Sequence, residues 1–86
     1  MGENEKKYNE TANKLRDKID SIEDVDTRYR FIHDVESTIY KTTTEINNNS
    51  PKIKEMLYEL AIFYLETAMR SVDSILECQN SIRNKK

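Results

Sequence analysis

The chain has 86 residues, with 14 Lys and Arg against 16 Asp and Glu for a net charge of −2, and it holds one Gly, one Pro and one Cys. A chain of this length forms one domain that buries only about 60–65% of its unfolded surface, so its stability margin is thin. The balanced charge supplies no field for nucleic acid or an anionic membrane, and the scarcity of Gly and Pro excludes turn-rich β architectures.

The expected fold is therefore all-α. Tyr8, Ala12, Leu15, Ile19 and Ile22 recur at spacings of four and three, which places them in one seam of a first helix over residues 4–23. A second stripe runs through Tyr29, Ile32, Val35 or Glu36, Ile39, Thr43 and Ile46, with Phe31 and Tyr40 beside it, and predicts a helix over 26–47. Between them, Ser21–Thr27 is poor in strong helix formers, and Asp24, Asp26 and Thr27 offer side-chain oxygens that cap a new helix. A break there is favoured although no Gly or Pro marks it. Asn47-Asn48-Asn49-Ser50-Pro51 is a clearer boundary. Asn tolerates the left-handed conformation that ends a helix, Ser50 suits a cap and Pro51 a first turn, so a third helix is predicted over 51–84.

The middle of that third helix, Met56 to Leu65, is apolar around most of its circumference. One neighbour cannot cover such a surface. Glu55, Glu59, Glu66, Arg70, Asp73 and Glu77 mark the expected solvent side. Ile53, Leu57, Leu60, Tyr64, Ala68, Val72, Ile75, Gln79 and Ile82 form the expected inward stripe, flanked by Met56, Ile62, Phe63, Leu65, Met69 and Leu76. The predicted architecture is an antiparallel three-helix bundle with a long third helix. The alternative is a long helical hairpin that dimerises into a four-helix bundle.

Little in the chain points to chemistry. His33 is the single histidine, Cys78 the single cysteine, so no multi-histidine or Cys/His metal site is expected and no cofactor is implied. Cys78 beside Glu77 suits a small structural role better than a reactive one, and the five tyrosines are expected as packing groups with wet hydroxyls. Arg83, Lys85 and Lys86 form a basic tail suited to a helix C-terminus. The N-terminus lacks the apolar stretch of a secretory signal and no apolar run approaches the ~20 residues of a membrane span, so a cytoplasmic protein is expected.

Three resemblances bear on function. Arg28-Tyr29-Arg30-Phe31-Ile32-His33 is similar to the Arg, four residues, His pattern of the HEPN ribonucleases, which implies a dimeric nuclease using Arg28 and His33. Leu15-Arg16-Asp17-Lys18-Ile19-Asp20 resembles the opening of the helical chorismate mutases, but His33 and Thr44 stand where that family carries an Arg and a Lys. Without those cations a dicarboxylate would be buried unpaired, which excludes that enzyme. Ser50-Pro51-Lys52-Ile53-Lys54-Glu55 and Tyr64-Leu65-Glu66-Thr67-Ala68 resemble the third helix of MIT domains, small three-helix modules that receive a partner helix in a groove. That resemblance implies contacts at Leu65 and Glu66.

The expected function is a non-enzymatic helical interaction module that binds an amphipathic helix of another protein, or closes a homodimer, through helix three. The expected contact residues are Met56, Ile62, Leu65, Met69 and Leu76, with Glu66 and Asp73 as rim charges. The HEPN-like ribonuclease and a small structural or regulatory subunit of a larger complex are the alternatives.

Overall fold

The computed structural model describes residues 2–84, which form three helices: α1 (Glu3–Asp20), α2 (Val25–Asn47) and α3 (Pro51–Asn84). The 34 residues of α3 extend about 51 Å at 1.5 Å per residue, close to the 54 Å long axis of the molecule. α1 and α2 both lie against α3, α1 more extensively. The other two dimensions, 21 and 14 Å, describe a flattened bundle with α3 shared between its neighbours.

The whole of the expected seam is buried, Tyr8, Ala12, Leu15 and Ile19 on α1 and Ile22 in the connection after it. Glu3 and Glu5 in its first turn and Lys18 in its last complement the helix dipole. Thr11, the one buried polar residue among those described, donates its hydroxyl to the Lys7 carbonyl at 2.7 Å. The Tyr8 ring meets Tyr58 of α3 edge-on at 5.6 Å. The Tyr58 hydroxyl reaches Glu5 at 3.3 Å, and burial together with the Glu5 charge raises the Tyr58 phenol above its ordinary value.

The break between α1 and α2 is real, which decides for three helices over the long hairpin. α1 stops at Asp20, short of the expected residue 23, and α2 begins at Val25. The Asp24 carboxylate accepts from the Thr27 N–H at 2.9 Å and the Thr27 hydroxyl at 2.6 Å, which caps α2 and lowers the Asp24 carboxyl below its ordinary value. The connection's freed backbone groups are taken up by side chains from elsewhere. Gln79 of α3 accepts from the Glu23 N–H at 2.8 Å and donates to the Ser21 carbonyl at 3.0 Å. Arg28 donates to the Ile22 carbonyl at 2.9 Å, while the Ile22 side chain itself is buried. Glu23 also pairs with Arg83; Lys85 and Lys86 of the basic tail lie outside the described residues.

The end of α2 differs from expectation. Asn48 has φ −97° and no described residue has a positive φ, so no left-handed cap is used. Instead the Asn49 side-chain amide donates to the Glu45 carbonyl at 2.7 Å, and the Asn48 and Asn49 N–H groups bond back to Glu45 and Ile46. α2 also buries less than expected. Val35 and Ile46 are enclosed and Phe31, Ile32 and Ile39 are partly so, but Tyr29, Tyr40 and Val25 stand in solvent. Packing therefore explains Tyr8 and Tyr58 but not Tyr29 or Tyr40.

The larger correction concerns α3, whose inward face is rotated from the expected one. Tyr58, Ala61, Ile62, Leu65, Ala68, Met69, Val72, Ile75 and Leu76 pack in the core, so the expected inward stripe holds from Ala68 to Gln79 and, half-buried, at Leu57. Ile53, Leu60, Tyr64 and Ile82 of that stripe are exposed instead. Ile62 and Leu65, expected as partner contacts, are core residues. Cys78 is likewise exposed rather than packed.

Two cross-helix ion pairs trim the bundle. Arg16 of α1 makes a two-pronged contact to Glu36 of α2, Nε to Oε2 at 2.5 Å and Nη2 to Oε1 at 2.9 Å. Lys18 of α1 meets Asp73 of α3 at 2.7 Å. The hydrogen bond from Arg16 holds the Glu36 carboxyl below its ordinary value. Both partners are more than a third exposed, so solvent screening limits the pair to about 0.5–1 kcal/mol.

Two predictions test this packing. Leu65 is only 1% exposed, so Leu65→Ala is expected to cost about 2–5 kcal/mol. Leu65→Asp, which buries an unpaired charge, is expected to unfold the domain; a folded Leu65→Asp protein in a urea melt followed by circular dichroism would refute this core. Because the folded Glu36 carboxyl titrates lower than the unfolded one, its contribution is present at neutral pH and fades as pH falls below about 4.3. Glu36→Gln should therefore lower the melting temperature at pH 7, with the difference from wild type shrinking in acid. A difference independent of pH would assign the loss to packing rather than charge.

Candidate functional site: the outer face of α3

α3 is apolar on two faces, and α1 and α2 cover one. Tyr58, Leu65 and Val72, spaced by seven, lie on the covered face; Ile53, Leu60 and Thr67, also spaced by seven, lie on a line about 140° away around the helix. Along that second line Ile53, Met56, Leu60 and Phe63 are 45%, 60%, 65% and 63% exposed. Their spacing of three, four, three is that of a coiled-coil seam. Beyond Phe63 the same face continues as Thr67, Arg70 and Ser74, so the uncovered apolar stretch ends after eleven residues, about 15 Å of helix from first to last.

The two edges of the stripe differ in chemistry. Lys52, Glu59 and Glu66, spaced by seven, run along one edge. Lys52 and Glu59 are exposed, Glu66 is half-buried in an open cleft that Lys7 and Lys14 of α1 also line, and none of the three makes an ion pair among the described residues. The other edge carries Leu57, half-buried, and Tyr64, 37% exposed.

The expected contact residues separate into three groups. Met56 belongs to the exposed stripe. Ile62 and Leu65 are enclosed in the core, and Leu76 packs half-buried against it. Glu66, Met69 and Asp73 line an open cleft between α1 and α3, where Asp73 is already engaged by Lys18. Ile53, Leu60 and Phe63 complete the exposed stripe and were not among the expected contacts. The sequence did carry a signal for them. The face through Leu65 stays apolar from Tyr58 to Leu76, whereas the face through Leu60 turns polar after Phe63, and only a face apolar along its whole covered length serves as the core.

Arg28 and His33 are not brought together. The Arg28 guanidinium is spent on the Ile22 carbonyl. His33 lies about 140° further round α2, exposed, with its ring stacked on Tyr29 at 6.1 Å and Nδ1 3.8 Å from an Asp34 oxygen. Tyr29, His33 and Tyr40 form a second exposed band, thinner and more polar than the α3 stripe. Among the described residues no group of three or more His, Cys, Asp or Glu side chains could hold a metal ion, and no helix is long and apolar enough to cross a membrane.

Comparisons with known protein families, with curated proteins and with solved structures return no match to this chain.

Proposed function

We propose that this protein is a non-enzymatic helical interaction module whose uncovered face on α3 is closed by another helix. The observation that carries this reading is the line Ile53, Met56, Leu60 and Phe63, exposed in coiled-coil spacing on a bundle whose core is already filled. Single exposed apolar residues are ordinary on protein surfaces; four aligned at three and four residues form a patch that a second helix fits. Full burial of a large apolar side chain contributes roughly 1.5–3 kcal/mol. Association itself consumes much of that gain. A seam of eleven residues therefore supports a transient contact better than a permanent one.

The MIT resemblance offers the same kind of role, a three-helix module receiving a helix. It puts the contact elsewhere, at Leu65 and Glu66. Leu65 is enclosed, so in this chain the contact is assigned to Leu60 and its neighbours instead. No observation favours the ribonuclease alternative, because Arg28 has a structural partner and His33 points away from it.

A photo-crosslinking side chain placed at Leu60 in the full chain, expressed in its native host, is expected to capture a protein; one at Asp34, exposed on α2, is not. Leu60→Asp is expected to leave the circular dichroism spectrum unchanged and stability within about 0.5 kcal/mol, since the side chain lies outside the core. Absence of any adduct at position 60 would remove the reading.

A further inference from the structure

The occupant of the α3 stripe is the open question, and the charges on its edge are informative. Building on the reading above, we infer that a second copy of this chain covers the stripe, with the two α3 helices antiparallel and centred near Tyr58. Lys52, Glu59 and Glu66 make one edge basic at its N-terminal end and acidic toward its C-terminal end.

In an antiparallel helix pair the same edge of each helix faces its equivalent, running the opposite way. Placing Ile53 of one copy against Phe63 of the other puts Met56 against Leu60, and each contact occurs twice by symmetry. The same register sets Lys52 of each copy opposite Glu66 of the other. On the opposite edge Leu57 meets Leu57 at the centre, which adds apolar area where the stripe alone is short. The one like-charge meeting is Glu59 with Glu59, at an exposed rim where water screens it. Two attractive contacts thus outnumber one repulsive one.

A parallel pair lacks this match. There the charged edge of one copy faces the Leu57 and Tyr64 edge of the other, so Glu59 would sit against apolar groups and the charges would go unpaired. The charge order along the edge therefore selects the direction of pairing as well as the partner. The outer face of α3 lies away from α1 and α2, so two flattened bundles approach back to back.

Sedimentation velocity and light scattering of the full chain across concentration test the inference. The wild type is expected to move from one chain to two as concentration rises, and Leu60→Asp to remain a monomer with unchanged circular dichroism. Lys52→Glu and Glu66→Lys are each expected to weaken dimerisation about 3- to 30-fold, because each reverses a charge contact that occurs twice. The double swap restores the pairing. A wild type monomeric up to about 1 mM, the weak limit for a specific contact, or a double swap no better than either single one, would overturn the antiparallel pair. The crosslink at position 60 separates this failure from that of the interaction role. An adduct of other than two chains would mean a different occupant of the same face; no adduct of any mass would remove both.

Discussion

Every other feature of the molecule depends on the seating of one face of α3, from Tyr58 to Leu76, against the seam that runs from Tyr8 on α1 to Ile22 just beyond its end. Those side chains form the largest continuous apolar contact in a chain with little surface to spare. Tyr8 against Tyr58 holds one end. At the other, Ile22 is enclosed while Gln79 ties down the connection that carries it. α2 then closes over the remaining side with Val35, Ile39 and Ile46. The α1–α3 contact fixes the rotation of α3 about its own axis, and with it which apolar residues are left outside.

Gln79 illustrates how a polar group within an apolar stripe becomes useful. Ending α1 at Asp20 frees backbone donors and acceptors close to a buried Ile22, and unpaired groups there would cost free energy. The Gln79 amide supplies one acceptor and one donor from α3, and Arg28 takes the Ile22 carbonyl. A chain break without Gly or Pro is thus stabilised by side chains distant in sequence. Asp24 supplies the local half of the same arrangement by capping α2.

Once the core face is set, the surplus on α3 follows. Two apolar faces on one helix cannot both be covered by two neighbours that lie on the same side of it. The outer face carries Ile53, Met56, Leu60 and Phe63, bordered by charges that change sign along their length. Arg28, one half of the Arg, four residues, His pattern, donates to the Ile22 carbonyl.

The sequence by itself determined the helical class, the boundary at Asn47–Pro51 and the seam from Tyr8 to Ile22, because each rests on local propensity or on a periodicity with a single reading; it favoured a break near Asp24 but left a continuous hairpin open, and the structure decided for the break. It also determined that α3 has more apolar surface than two helices cover. It left open which face of α3 turns inward: in a helix apolar nearly all round, the stripe through Leu60 and the stripe through Leu65 satisfy helical spacing equally over residues 53–65. Over that stretch only tertiary structure decided between them: the polar Thr67, Arg70 and Ser74 that end the Leu60 face count against it once the contact with α1 is seen to continue to Leu76. Likewise the exposure of Tyr29 and Tyr40 is not visible in the stripe of α2. It depends on how far α2 is turned when Val35 and Ile46 seat and Glu36 reaches Arg16, a constraint set by partners remote in sequence.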